Sequence, residues 1–178
     1  MFSWLAPYIE RALEYLPRFE SVLPTQRASC WWFMRWPREK GPGIYLVWPL
    51  VQHWNVHPVV SQICESAIVS VTDASGEAWK WRLVVEYSVH DVVAYDTTCY
   101  SAQNHLEQLA GNALVNILSA HTTEQLIQIS NATICQKIKD RIAEKSEPVG
   151  ITVIAVRSVM AVKCISVFLS NAERLADG

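Results

Sequence analysis

The chain reads as an α+β domain, a bent antiparallel sheet with helices packed on it, preceded by an N-terminal amphipathic helix. Three observations predict this. Strand-period and helix-period segments come in blocks rather than in alternation. Residues 79–89 keep a clear period of two, and residues 8–23 carry an apolar stripe at helical spacing. With 178 residues the chain is long enough to bury a self-sufficient core.

In the leader, Tyr8, Ile9, Ala12, Leu13, Leu16, Phe19 and Leu23 fall on one helical face, with Glu10, Arg11, Glu14 and Arg18 between them. Pro17 is expected to kink that helix, and Phe2, Trp4 and Leu5 add an apolar head before it. The segment is too short and too charged to span a bilayer, and it lacks the basic start and continuous apolar centre of a secretory signal. From Gly41 to Cys64 there are 24 residues without Asp, Glu, Lys or Arg. Pro42, Pro49 and Pro58 each remove a backbone donor that lipid cannot replace, so short strands and turns lying against a surface are expected there, not a spanning helix.

Strands follow from Ala67 to Asp73 and from Trp79 to Val89, joined by Ala74-Ser75-Gly76-Glu77. Trp79, Trp81, Leu83, Val85, Tyr87 and Val89 share one face of the second. Asp91 to Asp96 suits a short helix. Ser101 to Ala120 suits a long one, with Leu106, Ala110, Ala113, Leu114 and Ile117 inward and Gln108, Asn112 and Asn116 on the opposite face. Two placements of that amide face stay open: contact with a neighbouring subunit, or packing within the same chain. Thr122 and Gln125 have capping-box spacing, Ser130 to Lys145 forms a further helix ending before Pro148 and Gly150, and Ile151 to Lys163 closes as a strand. The expected division is a membrane-surface leader over residues 1–26, a domain over 27–165 and a short tail over 166–178.

Composition narrows the function. Apolar residues make up 51% and charged residues 18%, while a net charge of −2 and a pI near 6.2 give no drive toward nucleic acid. Six of the eight tryptophans lie in the first 54 residues, interleaved with prolines and arginines. Indoles favour the boundary between headgroups and acyl chains, and residues 1–40 hold six Arg or Lys against four Glu. Arg35, Arg38 and Lys40 around Trp36 therefore suit an anchor to anionic lipid, each cation contributing about 1 kcal/mol near the surface. A solvated turn with incidental charges is the other reading. Strand alternation also buries about half of Trp31 to Trp36 whatever lies outside, and the core reading of that segment is put first. For Phe2, Trp4, Leu5, Ile9, Leu13, Leu16 and Phe19 lipid is the preferred cover.

Chemistry is weakly signalled. Cys99 with His90 or His105 and Asp91 or Asp96 can be drawn as a nucleophile and base, but no nucleophile elbow, phosphate loop or metal motif supports catalysis. His53 and His57 would lie about 13 Å apart on an extended strand, too far to share a metal, so no cofactor is expected. Five widely spaced cysteines read as reduced thiols on the cytoplasmic side.

The segments Gly41-Pro42-Gly43-Ile44-Tyr45-Leu46-Val47-Trp48-Pro49-Leu50, Val71-Thr72-Asp73, and Leu83 through Asp91 resemble the SPFH or band-seven domain of stomatins, prohibitins and flotillins. Thr123-Glu124-Gln125-Leu126 and Gly150-Ile151-Thr152-Val153 are similar to later segments of that family, in the same order. The resemblance covers roughly residues 27–165 and implies a membrane-attached homo-oligomer, not an enzyme. It would act as a scaffold of a membrane patch or a regulator of a membrane protein or membrane protease. It also implies that the turn from Gly41 to Pro49, with Pro42, Trp48 and Pro49, lies at the bilayer. Here the leader stands where the family has a hydrophobic hairpin or spanning helix, and no long C-terminal helix follows the domain. The rival expectation is a soluble subunit that docks its aromatic N-terminal helix into a partner protein.

Overall fold

A computed structural model describes residues 14–164. The strands are β1 (Arg18–Val22), β2 (Gln26–Trp32), β3 (Trp36–Lys40), β4 (Gly43–Val47), β5 (Gln52–Pro58), β6 (Gln62–Glu65), β7 (Val69–Thr72), β8 (Ala78–Val89) and β9 (Ile151–Lys163). Between β8 and β9 come α1 (Val92–Thr98), α2 (Ala102–Leu118), α3 (Thr123–Gln128) and α4 (Asn131–Ser146). The α+β class holds.

The larger core is built on β8. Its alternation buries Trp81, Leu83, Val85, Tyr87 and Val89 on one face. β6 and β7 pair along one edge and β9 runs antiparallel along the other from Val89↔Ile151 to Trp79↔Lys163. The register slips at Ile154 and at Val159, and such bulges bend the strand that carries them. α2 and α4 cover the buried face with Leu106, Leu114, Leu118, Ile134, Ile138 and Ile142. Deleting one of these side chains, as in Ile138→Ala, costs about 2–5 kcal/mol.

Helix ends are fixed by the polar residues that flank them. Asp91 accepts from the backbone N–H of Val93 and Ala94, Ser101 from that of Asn104, and Thr122 with Gln125 forms the capping box. After α4 the chain reverses through Gly150 at φ +82°. A Cβ there would come within 2.2 Å of the Asp91 carbonyl oxygen, so the start of α1 sits directly on this turn.

A second, smaller core lies in β1–β5. β2 pairs with β3 and β5, giving a three-stranded sheet in the order β3-β2-β5, while β1 and β4 form a separate antiparallel ribbon. Val22, Ala28, Cys30 and Val47 are its buried residues, and Tyr45 of the ribbon stacks on Trp54 of the sheet at 5.2 Å.

The structure corrects the leader. Residues 18–22 are strand, not the second half of a kinked helix, and Phe19 and Arg18 take opposite faces of that strand. Pro17 is the physical reason: it removes a donor and disfavours helix in the residue before it, and Arg-Phe-Glu-Ser-Val then fits an alternating strand as well as a helical turn. β1 is paired to β4, so part of the expected 1–26 leader belongs to the sheet structure. Phe2, Trp4, Leu5, Ile9 and Leu13 lie outside the described residues.

The β7–β8 turn is pinned by Asp73, which is buried. Its carboxylate accepts from Ser75 N at 2.8 Å, Glu77 N at 2.9 Å, Trp79 Nε1 at 3.1 Å and the Thr123 hydroxyl at the start of α3. Burial pushes the carboxyl up, but these four donors together outweigh it and hold the pKa at about 2, below the ordinary 3.8. A depressed carboxylate stabilises the fold above its unfolded pKa, and that contribution disappears as pH falls through the folded value. The gap in melting temperature between wild type and Asp73→Asn should therefore be widest above pH 3.8 and close toward pH 2; a gap independent of pH would contradict this.

Candidate membrane-contact surface

Period-two geometry gives the β1–β4 ribbon two faces. Arg18↔Val47, Glu20↔Tyr45 and Val22↔Gly43 share one, on which Val22 and Val47 are buried in the smaller core. Phe19↔Leu46 and Ser21↔Ile44 share the other. On that face Phe19 is 76% exposed, Ile44 77% and Leu46 47%. The ribbon thus carries apolar side chains on both faces, and among the described residues only Val22 and Val47 of these side chains are buried.

The apolar surface continues at one end of the module. The β2–β3 hairpin turns through Phe33, Met34 and Arg35, and the Phe33 N–H donates to the Val51 carbonyl at 2.8 Å. That bond sets the hairpin tip beside the β4–β5 turn, where Val51 N and Gln52 N both donate to the Trp48 carbonyl at 3.1 and 2.8 Å. Trp36, Trp48 and Leu50 are exposed at this end, together with Phe33 and Met34. Leu16 is exposed just ahead of β1. Phe33, Met34, Trp36, Trp48 and Leu50 thus form an exposed apolar surface carried on the hairpin and the turn.

Charge around the surface is mixed. Arg18 pairs with Glu20 at 2.9 Å, and Arg27 pairs with Glu39. The Arg35 guanidinium lies 5.6 Å from the Trp36 ring centre and the Lys40 ammonium 5.7 Å from that of Tyr45. Arg38 stands opposite Cys30 across β3 and β2. Burial pushes the Cys30 thiol up, and the nearby Lys40 and Arg38 partly oppose that rise. Pro42 is exposed and Pro49 half-buried in the turns flanking β4.

The sequence-predicted residues Leu16, Phe19, Arg35, Trp36, Arg38, Lys40, Pro42, Trp48 and Pro49 thus all fall in the β1–β5 module. Phe33, Met34, Ile44, Leu46 and Leu50 were not singled out, because apolar residues in a run without charges give no polarity contrast. The reading of Trp31 to Trp36 as core strand is also corrected. Only Trp31 is half-buried there: a tight turn takes residues 33–35 out of the sheet, and the strand residues Trp32 and Trp36 beside it are exposed.

On the opposite face of the β3-β2-β5 sheet lies a polar cluster. Asp96 of α1 accepts from the buried Ser29 hydroxyl, from Asn55 Nδ2 at 3.2 Å and pairs with His57 Nε2 at 2.7 Å. His57 also meets Tyr95 edge-on at 4.9 Å. Through these contacts α1 joins the smaller core to the larger one. Three of the residues considered for thiol chemistry make other contacts. Asp91 caps α1, Asp96 is enclosed by its three donors, and His90 Nδ1 lies 3.0 Å from Thr152 Oγ1. Burial pushes the Cys99 thiol up, against the direction that a thiolate nucleophile requires.

Of the amide row on α2, Gln108 is exposed to solvent. Asn112 and Asn116 border an open groove of about 220 Å³ facing Arg141, Glu144 and Lys145 of α4. The one charged residue of α2, Glu107, accepts from the Ala67 N–H at 2.9 Å. Asn112 and Asn116, like Gln108, are exposed. Among the described residues no group of three or more His, Cys, Asp or Glu is placed to hold a metal ion.

The sequence model of the SPFH domain / Band 7 family matches residues 33–175, more than half of the chain. The chain belongs to that family, whose members are generally membrane-associated scaffolds. None of the curated proteins compared with the chain matches it. No helix among the described residues is long and apolar enough to cross a membrane.

Removing the Asp96 carboxylate leaves the buried Ser29 hydroxyl without its acceptor. Asp96→Ala should cost about 2–3 kcal/mol in urea unfolding, and an unchanged midpoint would show that the cluster does not join the two cores.

Proposed function

We propose that this protein is a membrane-associated oligomeric scaffold of the stomatin and prohibitin type, working at the cytoplasmic face. It organises a membrane patch or regulates a membrane protein or membrane protease, and it performs no catalysis of its own. The observation that carries this reading is the outer face of the β1–β4 ribbon with the adjoining hairpin and turn. Its apolar side chains are rigidly presented to the outside, and a bilayer covers such a surface without needing a matched shape. Arg35, Arg38 and Lys40 add attraction to anionic headgroups, which falls off within a Debye length. Phe2, Trp4, Leu5, Ile9 and Leu13 supply further apolar contact in the proposal, next to Leu16 and Phe19.

Self-association is proposed through the α2 face, with Gln108, Asn112 and Asn116 at the contact and the charged residues of α4 beside them. Amides tolerate burial in an interface when they pair with each other.

Vesicle flotation tests the membrane contact. The full chain should float with vesicles containing anionic lipid. Ile44→Asn combined with Leu46→Asn should weaken partitioning by about tenfold or more, from two large side chains discounted for partial burial. Equal recovery of the two proteins would contradict the proposal. Light scattering in detergent should return a mass above the 20.2 kDa of one chain, and a single-chain mass at every concentration would remove the oligomer.

A further inference from the structure

The tip of the β2–β3 hairpin has a backbone that does not suit its side chains. Phe33 and Met34 both take left-handed conformations, with φ 50° and 57°, and they are the only non-glycine residues at positive φ among the described residues. Arg35 N donates to the Trp32 carbonyl at 3.0 Å across them. Two successive left-handed residues inside such a bond meet the φ requirement of a type I′ turn, whose favoured pair is Asn-Gly, with Arg35 as one extra residue before the Trp32↔Trp36 pair. A Cβ in this region crowds the following carbonyl, which short polar side chains and glycine tolerate best. Large apolar side chains gain nothing there unless they are covered.

Among the described residues nothing covers them fully. Phe33 is 64% exposed and Met34 72%, and the aromatic neighbour of Phe33 is Trp36, edge-on at 6.4 Å. Strain kept at a site that contributes nothing to the core points to a role outside it. The surroundings indicate what the cover is. Trp36 and Trp48, both about half exposed, flank the tip, and indoles settle at the headgroup boundary. Arg35 stacks on Trp36 at 5.6 Å, which puts a cation at the level of the lipid phosphates when the tip points inward.

We infer that the Phe33-Met34 turn is the element that enters the acyl region of the bilayer, while Trp36 and Trp48 mark the headgroup boundary behind it. This deepens the membrane reading above and rests on it. The turn geometry aims two side chains that unstrained hairpins do not carry, and the β4–β5 turn braces the tip through the Phe33–Val51 hydrogen bond.

The test replaces the pair by the residues that the turn prefers, Phe33→Asn with Met34→Gly, in the full chain. Thermal unfolding and flotation with vesicles of phosphatidylcholine and phosphatidylserine are read together. The expected result is an equal or higher melting temperature with partitioning weakened by about tenfold or more. Phe33→Leu with Met34→Leu, which keeps the apolar tip, should restore most of the binding. A lower melting temperature for the Asn-Gly protein would show that the native pair stabilises the fold, and would overturn the inference. Unchanged flotation of that protein, with loss in the Ile44→Asn, Leu46→Asn protein, would also overturn it while leaving the membrane reading in place. Failure of the wild-type chain to float would remove both.

Discussion

A two-stranded ribbon with apolar side chains on both faces can turn only one set toward the core it adjoins. β1 and β4 meet that constraint with Val22 and Val47 turned inward, and strict alternation then leaves Phe19, Ile44 and Leu46 outside. Slipping the register by one residue would bury these three and expose the valines, so the outward set is fixed by the same pairing that builds the smaller core. The hairpin tip and the Trp48 turn extend the surface because their backbones are tied together at Phe33 and Val51. Local pairing thus determines where the chain presents its apolar side chains.

The rest of the fold holds that surface at a defined place. The larger core, between β8, β9, α2 and α4, contains every fully buried Leu and Ile among the described residues. Its link to the smaller core is polar: Asp96 on α1 collects Ser29, Asn55 and His57 from two strands. α1 is itself seated at its start against the Gly150 turn, where the backbone N–H groups of His90 and Asp91 both donate to the Gly150 carbonyl. One short helix therefore couples the apolar module to the helical half, and a buried carboxylate with three donors holds its position more specifically than apolar packing alone would.

Most of the structure from Ala67 onward was legible in the sequence. The alternation from Trp79 to Val89, the stripe from Leu106 to Ile117, the Thr122–Gln125 box and the β-branched run from Ile151 are long or carry explicit start signals. The first 60 residues were harder, because their strands are short, five to seven residues each. Arg18 to Val22 satisfies helical and strand periods equally well over five residues, and only its pairing with β4 decides the matter. The hairpin at Phe33-Met34 was hidden for the opposite reason, since it lacks the Asn or Gly that normally announces such a turn. Trp36 and Trp48 could be named from composition alone. The Asp96 cluster joins residues 67, 41 and 39 positions apart, which no local pattern reveals.

The central claim is that the β1–β5 end of the molecule meets the bilayer, and the protein's own indoles can report on it. Six of the eight tryptophans lie in the first 54 residues, and Trp36 and Trp48 stand exposed at the contact. Quenching of intrinsic fluorescence by lipids brominated along the acyl chain should be strong for the wild-type chain on vesicles and should fall sharply when Trp36→Phe and Trp48→Phe are combined. Fluorescence that brominated lipid leaves unchanged, or quenching that survives both substitutions in full, would contradict the claim.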